Sequence, residues 1–345
     1  MAPPDHQPDT GPTVSIEHPY LMFLGDAADD LAAKTARGIV HWRPDWCKGQ
    51  LSLDGCQTTL GLPEMSLEDA AAAGCRTLVV GIANRGGVIP DAWIDTLVEA
   101  LILGLDVASG LHARLVDLPD VSAAAARHGR QLFDVRHPAR EFDVASGVKR
   151  PGRRLLTVGS DCSVGKMFTV LALERELKGR GVDADFRATG QTGIFIAGDG
   201  ISVDAVIADF ISGAVEWLSP ANGPDHWDLV EGQGSLFHPS FAGVTMGLLH
   251  GAQPDALVLC HEPTRPHMRG VPHLGLPDLK DCIDAHVAAA RLTNPAATCI
   301  GVAVNTAALT PDEGAACVAE IGARLGLPCV DPVRDGVAPL ADALA

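Results

Sequence analysis

The sequence predicts an α/β protein, with a P-loop NTPase-like doubly wound parallel sheet preceded by a smaller Rossmann-like α/β domain. Three observations carry that expectation. Short apolar runs alternate with amphipathic stretches in both halves of the chain, the pattern of strand–helix–strand units with parallel strands. The run LLTVG (155–159) leads straight into GSDCSVGKM and then a helical stretch, the context in which backbone N–H groups cradle phosphate. A polar stretch, HPAREFDVASGVKRPGRR (137–154), parts the two halves, and places the boundary near residue 148.

Residues 1–15 are acidic and proline-rich and read as a disordered leader, unlike a signal or transit peptide. In the first domain (16–148), YLMFLG (20–25) reads as a strand and DLAAKTARGIVHW as a helix. TLVVGIAN (77–84) is a second strand, followed by the Gly86–Gly87 turn and a Pro-initiated helix from Asp91. LDVASG (105–110), a helix over 121–128 and LFDVR (132–136) continue the alternation. The second domain (149–345) opens with the phosphate loop and the helix KMFTVLALERELKGRG, ended by Gly181. ADFRATG is a strand and SVDAVIADFISGAVEWL (202–218) one apolar-faced helix. Strands follow at 228–232, 256–262 and 299–306, and the helix of 311–326 starts at Pro with acids in its first turn.

Composition narrows the partners. The 345 residues carry a formal net charge of −17, which excludes a nucleic-acid or anionic-membrane surface, since both need a basic footprint. An acidic substrate must then be captured by a local cluster of Arg or backbone N–H groups. The nine Cys include no CxxC pair, as suits reduced thiols, and the expected location is cytoplasmic. AWIDTLVEALILGLDVA, the most apolar window, is broken by acids and cannot span a bilayer. Apolar helices such as 92–104 point to a homo-oligomer.

The phosphate loop departs informatively from its usual pattern, GxxxxGK[ST]. Counted at that spacing, Ser160 replaces the first glycine and Met167 replaces the hydroxyl residue. The expected phosphate-binding set is Ser160, Asp161, Cys162, Ser163, Val164, Gly165, Lys166 and Met167, joined by Gln191 and Asn305 from later strand ends. A thioether does not ligate magnesium, which wants oxygen, and Thr169 faces another side of the helix. No obligatory metal is therefore expected. Such a loop suits a diphosphate held as a handle, since phosphoryl transfer needs a metal bridging the β- and γ-oxygens. His261, His267 and His273 recur every six residues, a spacing that converges on neither a helix nor a strand, so they are not read as metal ligands.

Further segments fall at successive strand ends, where open α/β sheets place their ligands: TGQTGI (189–194), VEGQGSLFHP (230–239), HEPTRPHMRG (261–270) and VNT (304–306). The pairing of GSDCSVGKM with a later Glu-Gly turn resembles dethiobiotin synthetase. With TGQTGI, VDAVIADFISGAVE, the block from VEGQGSLFHP through CHEPTR, DPVR (331–334) and GIANRGG (81–87), the chain is more similar to the D-glutamate N-acetyltransferase family, formerly a domain of unknown function. The resemblance covers nearly the whole chain after the leader. It implies acetyl-CoA as co-substrate and D-glutamate as acceptor, with N-acetyl-D-glutamate as product.

Individual roles come from chemistry rather than from the resemblance. Acetyl transfer to an amine needs a base for the ammonium and donors for the thioester oxyanion. Glu231 and His238 are the candidate bases; Glu231 reads equally as an orienter of Lys166, and His238 as a satisfied loop histidine. Gln233, with Gln191 and the N–H groups of Gly232–Ser235, is the candidate oxyanion donor. Two substrate carboxylates want guanidinium forks; the candidates are Arg85 and Arg265 first, then Arg43, Arg269 and Arg334, with Ser235 as a further acceptor contact. The competing readings are an ATP-dependent enzyme activating a carboxylate or carbamate, as in dethiobiotin synthetase, and a non-catalytic nucleotide sensor.

Overall fold

The computed structural model describes residues 15–84, 86–138 and 140–344. The leader expected over 1–15 lies, but for Ser15, outside them. The chain begins with β1 (Tyr20–Gly25), α1 (Lys34–Trp42), β2 (Cys47–Ser52), α2 (Leu67–Ala72), β3 (Thr77–Val80), α3 (Asp91–Ile102), β4 (Asp106–Ser109), α4 (Pro119–His128) and β5 (Leu132–Asp134). It continues with β6 (Arg153–Gly159), α5 (Lys166–Gly179), β7 (Ala184–Arg187), α6 (Gln191–Ala197), α7 (Ile211–Leu218), β8 (Trp227–Val230) and α8 (Ala242–Ala252). The last elements are β9 (Ala256–His261), α9 (Leu279–Ala290), β10 (Thr298–Val304), α10 (Pro311–Leu325), β11 (Cys329–Val330) and α11 (Ala338–Asp342).

Two compact units share this chain. The first holds the described residues up to Pro138 together with Gln191–Ala205; the second holds Arg140–Gly190 and the described residues from Val206 onward. An expected boundary near 148 had put Gln191–Ala205 with the phosphate loop, whereas this segment packs into the first unit. There Tyr20 donates its hydroxyl to Phe195 O at 3.2 Å, Arg43 Nε donates to Ile196 O at 3.1 Å, and Arg136 pairs with Asp204 at 3.1 Å.

In the first unit five parallel strands run in the order β2-β1-β3-β4-β5. Every residue of β1 and β3 is buried, as expected for a parallel sheet covered on both faces. Trp93 of α3 is buried, meets Phe23 of β1 edge-on at 5.4 Å and satisfies its indole N–H on Asp26 at 3.1 Å.

The second unit has six parallel strands in the order β11-β10-β9-β6-β8-β7. β6 is flanked by β9 on one side and β8 on the other, so the order of the chain reverses there, at the position where open α/β sheets hold their ligands. The registers Leu156↔Val230 and Gly159↔Cys260 bring the phosphate loop, Glu231 and His261 to one edge of the sheet. Arg154, fully buried at the other end of β6, donates to the carbonyls of Arg150, Pro151, Gly152, Ser219 and Pro220 and lies 3.8 Å from the buried Asp228 carboxylate.

One expected helix is corrected. The stretch 202–218 forms two single turns, Val203–Ala205 and Ala208–Phe210, before α7 begins at Ile211. Ser202 donates to the Asp204 carboxylate at 2.7 Å, a local bond that competes with helix, and the chain passes between the two units at 205/206. Among the described residues no helix is long and apolar enough to cross a membrane.

Candidate functional site

The loop Ser160–Gly165 curls between β6 and α5 because two of its residues adopt left-handed backbone, Ser163 at φ 55 and Gly165 at φ 103. Such alternation turns successive N–H groups to one side and makes an anion-binding concavity at the helix N-terminus. Lys166 opens α5. Its side chain runs under the loop, where Nζ donates to Asp161 O at 3.0 Å and Gly234 O at 2.8 Å, and burial pulls its pKa down. Met167 follows, half-buried, where a magnesium-binding hydroxyl would stand. Thr169 supplies no substitute, since its buried hydroxyl donates back to Gly165 O at 3.0 Å.

Asp161 is the structural hub of the loop. Its buried carboxylate accepts Cys162 N–H at 2.7 Å on one oxygen, and on the other the Arg265 guanidinium at 2.6 Å and Arg269 N–H at 2.8 Å. Burial works to raise its pKa, yet the Arg265 bond and the two N–H groups hold the carboxyl below the usual range. Arg265 also donates to Cys162 O at 2.7 Å, to Ser163 O at 3.2 Å and to Glu262. With four of its five N–H groups spent on the loop and Glu262, Arg265 has no fork left for a substrate carboxylate. In this arrangement Arg265 clamps the loop.

Glu231 follows β8 and is 4% exposed. One of its oxygens accepts Thr189 N–H at 3.0 Å and Gly190 N–H at 3.1 Å, so it shapes the turn after β7. Burial pushes the carboxyl up to about 7, against those N–H bonds, the Lys166 charge and the Gln233 amide. Gly232 comes next because nothing larger fits: a Cβ there would stand 1.7 Å from Thr157 O. Its N–H donates to Thr157 Oγ1 at 3.0 Å. Gln233 donates its amide to Thr189 Oγ1 at 3.3 Å, joining the same network.

His238 is buried with both ring nitrogens engaged. Nε2 donates to Arg269 O at 3.0 Å, which leaves Nδ1 as acceptor for Ser240 N–H at 3.2 Å, and the ring lies 4.6 Å from that of Phe241. Of the two readings open for His238, this geometry fits the satisfied loop histidine. Buried Ser235 accepts Phe237 N–H on its hydroxyl at 3.3 Å and His238 N–H on its carbonyl at 3.1 Å. Ser160 pairs its hydroxyl with His261 Nδ1 at 2.9 Å, and burial holds His261 down at about 4. Asp161, Cys162 and His238 each bring a ligand-type atom within 4.8 Å of one another, the one such group among the described residues. An ion there would have to displace Arg265 from Asp161 or break the bonds of the His238 ring.

Two expected residues belong to the first unit. Gln191, with its amide oriented to satisfy both neighbours, donates to Gly110 O and accepts from Arg136 at 2.9 Å. Arg43 donates to Ile196 O and Trp42 O and lies 5.5 Å over the Trp46 ring. Arg85 lies outside the described residues. Asn305 sits at the end of β10, its side-chain oxygen accepting Ala307 N–H at 3.1 Å. Thr157, Thr189 and Glu262 lie within LLTVG, TGQTGI and HEPTRPHMRG, but no individual role is expected of them from the sequence.

A lysine-bearing phosphate loop at the switch point of a parallel sheet, beside a Glu-Gly turn on the neighbouring strand, defines a P-loop α/β protein. A second, Rossmann-like sheet precedes it. The chain belongs to the DUF1611 family: "Domain of unknown function (DUF1611_C) P-loop domain" matches residues 143–341, and "Domain of unknown function (DUF1611_N) Rossmann-like domain" matches 47–138. It is 57% identical over 330 residues to a Tritonibacter scottomollicae protein named D-glutamate N-acetyltransferase, covering 96% of this chain and 99% of that one. A Pseudoalteromonas protein of the same name is 48% identical over 324 residues, covering 94% and 98%. A crystal structure of a DUF1611 family protein from Anabaena variabilis superposes with a TM-score of 0.81 at 35% identity, covering 95% of this chain and 99% of that one.

Proposed function

We propose that this chain is an N-acetyltransferase that moves the acetyl group of acetyl-CoA to the amino group of D-glutamate, giving N-acetyl-D-glutamate and coenzyme A. One observation carries the reading. The loop keeps the N–H concavity and Lys166 that grip a diphosphate, and has Met167 where cleavage chemistry wants a metal-binding hydroxyl. The names of the relatives at 57% and 48% identity support the same reaction.

In the reaction the acceptor ammonium loses a proton, its nitrogen attacks the thioester carbonyl, and the carbon–sulfur bond breaks. The sulfur leaves and takes up a proton, while the nitrogen sheds its second one. With the diphosphate of the donor on the loop, the extended pantetheine arm carries the thioester on the order of 15 Å away. Glu231, Gln233 and His238 therefore work at the anchor. Glu231 holds the Thr189–Gly190 turn beside Lys166, Gln233 ties that turn to the Glu-Gly loop, and His238 fastens Arg269. The base and the oxyanion donors belong at the far end of the arm.

Incubation of the pure protein with D-glutamate and either acetyl-CoA or Mg–ATP tests the reading. Thiol release with the first donor and no phosphate release with the second is the expected result. Metal-dependent phosphate release without thiol would replace it with carboxylate or carbamate activation, and tight binding without turnover with a sensor.

A further inference from the structure

The segment His261–Leu274 is built around one residue whose side chain the fold does not use. Arg265 clamps its start onto the loop through Asp161, Cys162 O and Ser163 O. Met268 plugs its middle, 2% exposed, with its N–H on Leu274 O at 2.9 Å. Arg269 is then pinned on both sides of its own backbone: its N–H donates to Asp161 at 2.8 Å, and its carbonyl accepts from His238 Nε2 at 3.0 Å. Its side chain is exposed and its guanidinium makes no hydrogen bond or ion pair among the described residues. Those two backbone bonds fix Arg269 beside the loop, one on Asp161 of the loop itself.

The other two cations of the loop are already committed. Lys166 Nζ, buried against Asp161 O and Gly234 O, keeps one N–H for the diphosphate itself, and Arg265 is matched by Asp161 and Glu262. In a chain of net charge −17, a positioned and unpaired guanidinium at the rim of an anion site is the feature that can take a further anionic group. A donor with its diphosphate in the concavity has such a group one ribose away.

We propose that Arg269 binds the 3′-phosphate of coenzyme A and makes the enzyme select 3′-phosphorylated donors; this rests on the reading of the loop as a coenzyme A anchor. Steady-state kinetics with acetyl-CoA and acetyl-3′-dephospho-CoA, on wild type, Arg269→Gln and Arg269→Lys, test it. The wild type is expected to show a KM for the dephospho donor about tenfold or more above that for acetyl-CoA. Arg269→Gln should raise the acetyl-CoA KM by a similar factor, leave the dephospho KM within about twofold and keep kcat, and Arg269→Lys should fall between. Because only the backbone of Arg269 is used in the fold, the variants should keep the wild-type Tm. Equal effects on both donors, or no effect on either, would overturn the assignment while leaving acetyl transfer standing. A wild type that accepts neither donor would sink the anchor reading and the assignment with it.

Discussion

Arg265 reaches Asp161 across 104 residues of sequence and meets its buried carboxylate at 2.6 Å, closing the phosphate loop from outside. Removing the guanidinium leaves that carboxylate with only N–H partners. Arg265→Ala is therefore expected to cost about 3 kcal/mol of stability. It should raise the KM for acetyl-CoA about tenfold or more, with the KM for D-glutamate within twofold. A selective rise in the acceptor KM would return Arg265 to the role of carboxylate fork.

Glu231 separates two mechanisms. As the positioning group described above, its replacement in Glu231→Gln should weaken donor binding several-fold and leave kcat at saturation within about threefold. As a general base it would take a factor of about 100 or more out of kcat. Measuring kcat and the donor KM for the one variant decides between them.

Acetyl transfer should survive excess EDTA unchanged. Met167→Ser returns the usual hydroxyl to α5, and if the loop holds a diphosphate without cleaving it, acetyl transfer by this variant should remain independent of added magnesium. A chelator-sensitive wild type would count against an anchor built from N–H groups and Lys166.

Stability should climb with pH between about 4.5 and 6.5. Burial holds His261 and His286 down at about 4, so across that window the unfolded chain binds protons that the folded one declines. Their contribution is whole above about 6.5 and is lost as pH falls toward 4. Glu231 acts oppositely: its folded pKa of about 7 exceeds the ordinary 4.5, so its ionisation cost grows as pH rises through the same range. Two histidines outweigh one carboxyl. His286→Leu, which also removes a buried Nε2 without a partner among the described residues, should flatten the climb and raise the Tm at pH 5 more than at pH 7. An unaltered pH profile in the variant would exclude His286 as a source.

Gly232→Ala should lower stability by roughly 3 kcal/mol, because a methyl 1.7 Å from Thr157 O must push β6 and β8 apart beside Lys166. Chemical denaturation checks this, and a near-neutral result would mean that the strand ends yield easily.

The sequence made the buried strands legible, since β1, β6, β8 and β9 are apolar runs with few alternatives. β2 was not legible, because CKGQLS is a polar edge whose buried Gln50 is satisfied by Thr59, Leu60 and Glu64, not by an apolar neighbour. α6 was hidden in QTGIFIA, too short for a periodic signal. At the site, the loop and the Glu-Gly turn could be read because backbone geometry imposes their glycines and lysine. The commitment of Arg265 could not, since whether a guanidinium is free depends on carboxylates distant in sequence. For the same reason nothing local told the exposed Arg269 side chain from its clamped neighbour four residues earlier.

The assignment of Gln191–Ala205 to the first unit makes both units discontinuous in sequence. The polypeptide passes from one unit to the other three times, between Pro138 and Arg140, at 190/191 and at 205/206. A fragment ending at 138 would leave the Tyr20 hydroxyl, Arg43 and Arg136 without Phe195, Ile196 and Asp204. Neither unit is therefore one continuous stretch of chain that could be cut out whole.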